Sequence, residues 1–71
     1  MKPLIIEENK DRYNRTVYNI RKSKKSIWIF GSIEWNKRQK GWYFCDWGET
    51  TWSSQHMQEI FEFMRKLKNY D

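Results

Sequence analysis

Residues 26–47, SIWIFGSIEWNKRQKGWYFCDW, form the stretch that most limits what this chain can fold into. Both of its halves are rich in β-branched and aromatic residues, which favour pleated strands. Between them, NKRQKG combines polar side chains with a glycine, as is typical of a turn. The stretch therefore predicts two antiparallel strands, near residues 26–36 and 41–47, joined as a hairpin.

If residues 26–36 form one continuous strand, alternate side chains point to opposite faces of the sheet. One face is then apolar and suits a core: Ile27, Ile29, Gly31, Ile33 and Trp35. The other face is mixed: Trp28, Phe30, Ser32 and Glu34. A glycine inside a strand indicates a bulge or the close approach of another element, and we expect one of these at Gly31.

The flanking segments predict the rest of the sheet. A weaker strand is expected near residues 15–22, connected to the hairpin by a turn over residues 22–25. Residues 4–6 can add a short edge strand, since the acids that follow would discourage further pairing. The sequence thus predicts three antiparallel strands, with a fourth at the edge if residues 4–6 join.

The C-terminal segment predicts a helix near residues 54–68. Ser53 or Ser54 can accept hydrogen bonds from the first turn as an N-cap. Apolar residues then recur at helical spacing on one stripe, which would lie on the sheet: Met57, Ile60, Phe61, Met64 and Leu67. We therefore expect an α+β fold in a single domain, residues 1–71, with the helix packed on one face of the sheet.

Length and composition narrow the function classes. A chain of 71 residues buries about 60% of its unfolded surface, so part of its 18% aromatic content must serve the core. Cys45 is the single cysteine, which excludes an internal disulfide and a cysteine-based metal site. No signal peptide or apolar run of membrane-spanning length is recognisable. We expect a cytoplasmic protein that does not contact membranes and holds no metal or cofactor.

Positive charge is concentrated in one part of the chain. The formal net charge is +5, yet residues 10–40 alone contain ten lysines and arginines against two acids. An ordinary protein surface mixes charges of both signs, so this concentration of cations favours a basic binding surface. Nucleic acid is the partner that this distribution suits best.

Residues that would perform catalysis are not recognisable. His56 is expected in the first turn of the helix, as a solvated or capping residue, and Cys45 lies between aromatics as a half-buried thiol. No phosphate-binding glycine loop, metal-ligating histidine pair or paired cysteine motif is present. The sequence therefore predicts a protein that is not an enzyme.

Cations and exposed rings together predict a binding surface. Trp28 and Phe30, two residues apart on the open face of a strand, could stack with unpaired bases. The candidate cations fall in two groups: Arg15, Arg21, Lys22, Lys24 and Lys25 beside the rings, and Lys37, Arg38 and Lys40 in the hairpin turn. A strand over residues 26–36 would separate the groups by about 30 Å, which a length of nucleic acid can span. Alternatively, residues 4–6 cover Trp28 and Phe30 as a second small core, and no stacking surface remains.

Two functions stay open at this point. The first is a small, non-enzymatic nucleic-acid-binding module; in the order of its elements the chain resembles the arm-type DNA-binding domains of tyrosine-family integrases and the single-strand-binding coactivator fold. The second is a protein-binding inhibitor or adaptor of the kind that phage and mobile-element genomes encode, acting on a host protein, because exposed aromatics and arginines are enriched at interface hot spots. A homodimer formed through an edge strand fits either function. The sequence does not distinguish DNA from RNA, or single from double strands.

Overall fold

The computed structural model describes residues 3–48 and 50–68. Its elements are β1 (Ile5–Lys10), β2 (Thr16–Arg21), β3 (Gly31–Asn36), β4 (Gly41–Asp46) and α1 (Ser54–Arg65). The strands form one antiparallel sheet in the order β1-β2-β3-β4, and the helix packs on one of its faces. The predicted α+β fold is confirmed, and a fourth strand is present at the edge. This strand is longer than the one expected over residues 4–6, because Glu7 to Lys10 also pair with β2. Over the described residues, the helix is too short and too polar to span a bilayer.

The strand predicted over residues 26–36 is wrong in its first half, because β3 begins at Gly31. Its partner strand β2 ends at Arg21, so residues before Phe30 have no neighbouring strand on that side to pair with. Phe30 makes the last such contact, donating its N–H to the carbonyl oxygen of Ile20 at 2.9 Å. The alternation of side chains between the two faces of the sheet therefore does not extend to Trp28.

The core lies between the sheet and the helix. Ile20 in β2, Ile33 in β3 and Ile60 in α1 are fully buried. Partly buried apolar residues surround them: Leu4, Ile6, Tyr18, Trp42, Phe44, Trp52, Met57, Phe63, Met64 and Leu67. Leu4 and Ile6 belong to this core, so the alternative in which residues 4–6 cover Trp28 and Phe30 is wrong.

The helix begins with the expected serine cap. Ser53 Oγ accepts from the N–H of His56 at 3.0 Å, and His56 Nδ1 accepts from the N–H of Ser53 at 3.3 Å. This reciprocal pair confirms the capping role of His56 and satisfies two backbone donors that a helix start otherwise leaves unpaired. The core stripe is confirmed except at Phe61, which is 53% exposed. Phe63, which was not expected in the core, takes part in it in place of Phe61. Its ring centroid lies 5.1 Å from that of Tyr18 in β2, because the sheet extends beneath the Phe63 side of the helix.

Two tryptophans set the direction of the helix across the sheet. Before the helix, Trp52 packs over Gly31 at the start of β3 and donates its indole N–H to Asp46 Oδ1 at 3.0 Å. After the helix, the carbonyl oxygen of Lys68 accepts from the indole N–H of Trp42 at 3.1 Å. The end of α1 therefore lies beside the start of β4, at the opposite end of the sheet from its beginning.

We expect Gly31→Ala to destabilise the fold by about 1–3 kcal/mol, because overpacking a filled site forces its neighbours apart. A Cβ atom at Gly31 would lie 2.9 Å from the carbonyl oxygen of Cys45, 2.9 Å from Phe44 Cε1 and 3.1 Å from Trp52 Cζ2. The matched control is Gly41→Ala, whose nearest contacts would be ordinary ones at 3.8 and 3.9 Å. Urea unfolding of both variants checks this, and equal stability would contradict the close approach at Gly31.

Candidate nucleic-acid interface

The antiparallel order of the strands places two of the connections at the same end of the sheet. Residues 11–15 join β1 to β2, and residues 37–40 join β3 to β4. Two strand spacings, or about 10 Å, separate these turns. We call this the turn end. The opposite end, which carries the connection over residues 22–30, is the loop end.

Asp11 organises the first turn of the turn end. Its Oδ1 accepts from the backbone N–H groups of Tyr13 at 2.8 Å and Arg15 at 2.9 Å, and its Oδ2 pairs with Arg15 Nε at 2.9 Å. Asn14 has a φ of 61°, in the left-handed region that asparagine tolerates better than most residues. These bonds hold the pKa of Asp11 below its ordinary value of 3.8, chiefly through the N–H of Arg15.

Asn36 shapes the second turn in a similar way. Its side-chain oxygen accepts from the N–H groups of Arg38 at 3.0 Å and Gln39 at 3.1 Å. Lys37, Arg38 and Lys40 are exposed around this turn, and none of them forms an ion pair with a carboxylate of the described ranges 3–48 and 50–68. Their charges are therefore available to a ligand.

The turn end gathers cations from several parts of the chain. Both turns and the adjoining strand end contribute exposed side chains: Lys10, Arg12, Arg15, Lys37, Arg38 and Lys40. The end of α1 lies on the same side of the molecule, which adds Arg65, Lys66 and Lys68. Asp11 is the single acid within the two turns, and it is already paired with Arg15. We expect a strongly positive local potential here.

Tyr13 is an exposed ring in the middle of these cations. It is 65% exposed, and the guanidinium carbons of Arg12 and Arg15 lie 5.2 and 5.0 Å from its ring centroid. Cations within about 6 Å of an aromatic face are attracted to it. The two arginines and the ring therefore form one compact group at the tip of the first turn.

At the loop end, two of the predicted site residues hold the chain together. Arg21 pairs with Glu7 at 2.7 Å and donates to the carbonyl oxygen of Ser26 at 2.9 Å, which fixes the connection. Lys22 hydrogen-bonds Thr50 and Thr51, and its Nζ lies 5.4 Å from the Phe30 ring centroid. These contacts leave Arg21 and Lys22 less available to a ligand than the cations of the turn end.

The rest of the loop end is exposed, although not as a stacking surface on the sheet. Trp28 is 70% exposed and its neighbour Ile27 is 85% exposed, next to the exposed Lys24 and Lys25. Phe30 is half-buried beneath Lys22. The expectation that Trp28 and Phe30 share the open face of a strand is therefore wrong, because residues 26–30 lie outside β3.

The open face of the sheet is neutral to acidic. It carries the Glu7–Arg21 pair, and Ser32 Oγ both donates to Glu34 at 2.7 Å and accepts from the Trp47 indole at 3.1 Å. Cys45 is half-buried on this face, as expected. Burial, and then the Glu34 carboxylate, raise the pKa of its thiol, so it is not an activated nucleophile. No group of three metal-ligating side chains occurs in the described part of the chain.

A pocket opens at the turn end where the two central strands separate. The β1–β2 ladder extends to Lys10 and Thr16, whereas the β2–β3 ladder already ends at the pair Val17 and Glu34. The cavity in this fork has a volume of about 370 Å³. Its lining combines cations with apolar and acidic side chains, among them Lys10, Arg15, Val17, Glu34 and Trp35. We call it the fork pocket.

The structure changes the grouping of the candidate residues. Arg15 was expected beside Lys24 and Lys25, but it lies at the other end of the sheet with the cations of the hairpin turn. Lys10, Arg12 and the cations at the end of the helix were not among the candidates. In a meander of four antiparallel strands, the first and third turns always lie at the same end of the sheet. That topology would have predicted that Lys10, Arg12 and Arg15 lie beside the hairpin turn.

Comparison with protein-family models, with curated proteins and with solved structures finds no match to this chain. The resemblance in element order to integrase arm domains and to single-strand-binding coactivators stays an expectation. A functional proposal for the chain therefore depends on its own geometry and charge.

We expect Asp11 to titrate below 3.8, so its carboxylate stabilises the turn at neutral pH and loses this effect as the pH falls through its lowered pKa. Arg15→Ala should raise this pKa only part of the way, because the backbone N–H bonds remain. Arg12→Ala removes the same charge from a side chain that is not hydrogen-bonded to Asp11, so it should leave the pKa of Asp11 almost unchanged. Carboxyl ¹³C shifts followed against pH measure all three, and a full return to 3.8 in Arg15→Ala would contradict the leading role of the backbone.

Proposed function

We propose that this chain is a small, non-enzymatic nucleic-acid-binding module that grips the phosphate backbone with its turn end. The observation that carries the proposal is the convergence of two turns and the helix end, which brings exposed cations to one side of this small protein. Among these cations, only Arg15 forms an ion pair with a carboxylate of residues 3–48 and 50–68. Lysine and arginine release counterions when they neutralise phosphates, and this provides affinity for any sequence.

The spacing of the two turns suits a polyphosphate strand. Each strand of duplex DNA carries one charge per about 3.4 Å of axis, so two turns about 10 Å apart can contact different phosphates of one backbone. Arg12 and Arg15 from the first turn, and Lys37 and Arg38 from the second, could then contact phosphates of one backbone. A single small anion would reach one turn and leave the other unused.

Tyr13 supports the same interpretation. An exposed ring flanked by two guanidinium groups can stack on a base or a sugar while the arginines contact phosphate. This combination suits a flexible or single-stranded ligand as well as the end of a duplex. The proposal therefore covers both strand forms, and comparing the affinity for a labelled duplex with that for one of its separated strands distinguishes them.

Changing Lys37→Gln together with Arg38→Gln should weaken binding to duplex DNA at low salt. If both side chains contact phosphates, the slope of log K against log salt should fall by about 2 in magnitude. Fluorescence anisotropy with a labelled 20-base-pair duplex, at five salt concentrations, measures the affinity and the slope together. Circular dichroism should show an unchanged fold, because both side chains are exposed.

The matched control changes Lys24→Gln and Lys25→Gln, which removes the same charge at the loop end. We expect this control to lose less affinity than the Lys37→Gln, Arg38→Gln variant, because it lowers the net charge equally but removes no direct phosphate contact. A larger loss in this control would move the interface to the loop end. Salt-insensitive binding, or no binding of duplex or single strands by the wild type, would refute the proposal.

A protein-binding inhibitor or adaptor remains the second candidate, because of one specific observation. Ile27 and Trp28 are both exposed on a connection that Arg21 holds in place from inside. Adjacent large apolar residues on a fixed loop are unusual on a monomer surface and often mark a protein contact. Tryptophan is also among the residues most enriched at interface hot spots.

Trp28→Ala should leave the free energy of unfolding within about 0.5 kcal/mol of wild type, because an exposed side chain contributes little to the core. Under the second candidate function, it should abolish capture of a host protein that the wild-type chain retains. Phe61→Ala, which removes another exposed ring from the far side of the helix, is the control and should preserve capture. Unfolding of Trp28→Ala, measured in urea, would show instead that the ring is structural.

A further inference from the structure

The two edge strands of the sheet differ in how they are protected against further pairing. β1 carries two glutamates and a lysine among its six residues. β4 carries one charged residue, Asp46, at its end, and within residues 3–48 and 50–68 it pairs with β3 alone. Sheets discourage association by placing charges on their edges. We propose that β4 is the contact of a homodimer, in which it pairs antiparallel with β4 of a second copy of this chain.

The backbone of β4 is oriented for such pairing. The N–H of Trp47 donates to the carbonyl oxygen of Phe30 at 3.2 Å, in register with the β3–β4 ladder. The backbone groups of an antiparallel strand alternate in direction, so Cys45 also faces β3, whereas Phe44 directs its N–H and C=O groups away from it. Phe44 therefore lies in the middle of an edge with which another strand can pair.

An antiparallel pair centred on Phe44 sets compatible side chains opposite each other. In this register, Phe44 faces Phe44 of the second copy, and Tyr43 faces its Cys45. Asp46 faces Trp42 of the second copy, so like charges do not meet. Aromatic pairs across neighbouring strands stabilise a sheet. The sequence of β4 is therefore complementary to itself in this arrangement.

β1 does not suit the same arrangement. Pairing of β1 with itself about its middle would set Glu7 against Glu8 of the second copy, and like charges directly opposite each other are destabilising. Pairing of β4 with β1 of the next copy would leave one edge free on each added copy, which produces open chains instead of a closed dimer. The two-fold pair of β4 strands avoids both outcomes.

The helix adds an exposed ring beside the same edge. α1 runs antiparallel to β4, since it begins beside the end of that strand and ends beside its start. Phe61, in the middle of α1, is 53% exposed and lies at about the level of Phe44. Glu59, on the opposite side of the helix, accepts from the N–H of Leu4 at 3.0 Å, next to β1. Phe61 therefore points away from β1, towards the edge formed by β4.

A shallow groove of about 600 Å³ surrounds this ring, with Met57 also in its lining. A two-fold axis through the middle of the β4 pair would set the grooves of both copies side by side, with the two Phe61 rings facing each other. Strand and groove thus match a second copy about one axis, which favours self-association over an unrelated partner. The two turn ends would lie at opposite ends of the combined sheet and stay exposed, so the inference does not rest on the proposed nucleic-acid binding.

Sedimentation equilibrium of the wild-type chain tests the proposal. Protein concentrations should run from micromolar to millimolar at moderate salt, because each copy carries a net charge of +5 and the copies otherwise repel each other. We expect a reversible equilibrium between monomer and dimer. A chain that stays monomeric at millimolar concentration would overturn the proposal and leave the edge of β4 to a different protein. Assemblies that keep growing with concentration would overturn it in favour of pairing between β4 and β1.

Phe61→Lys should raise the dissociation constant of the dimer by about tenfold or more, because it sets two like charges opposite each other near the axis. Tyr13→Lys is the matched control: it makes the same change at another exposed ring, in the turn end, and should preserve the dimer. Circular dichroism should show the wild-type fold in both variants. An unchanged dissociation constant in Phe61→Lys, or equal weakening in both variants, would overturn the assignment of the interface.

Amide hydrogen exchange tests the strand contact without a variant. The N–H of Phe44 points away from β3, so it should exchange more slowly as the protein concentration rises and the dimer forms. The N–H of Cys45 faces β3 in the monomer and the dimer alike, and its exchange should change much less. A dimer in which the exchange of Phe44 does not depend on concentration would show that β4 is not the contact.

Discussion

The contact of Ile60 in the helix with Ile20 and Ile33 in the two central strands is the interaction on which the rest of this structure depends. Each fully buried side chain of this kind contributes about 1.5–3 kcal/mol, a large share of what a domain of this size can gain. The surrounding aromatic residues are only partly buried, and they enlarge the core by packing around its edge. Without this contact, neither face of the sheet would be covered and the helix would have no surface on which to form.

The direction in which the helix docks on this core determines where its charges lie. A helix docked on Ile20 and Ile33 could point in either direction, and Trp52 and Trp42 hold it with its end beside the start of β4. The cations at the end of the helix therefore join those of the two turns. Packing of the core thus produces the charge asymmetry that the functional proposal uses.

The fold was largely predictable from the sequence. Strand propensity on both sides of the turn at residues 37–40, and helical periodicity after Ser53, each reflect a local preference that the tertiary structure keeps. The first half of the strand at residues 26–36 was not predictable in this way, because a strand needs a partner and β2 ends too early to provide one. Phe61 was wrongly predicted to lie in the core for a related reason. Helical periodicity shows which residues share one face of the helix, but it does not show how much of that face the sheet covers.

For this protein, the sequence by itself determined the order of the elements, a serine cap at residue 53 or 54, the side of the sheet that Ile33 occupies, and the excess of cations between residues 10 and 40. Only the tertiary structure decided which cations lie together. Arg15 and Arg38 are far apart in the chain, and they lie at the same end of the sheet because four antiparallel strands return their first and third turns to one end. The fork that forms the pocket also arises from ladder lengths, which depend on pairing between distant segments and on no local sequence signal.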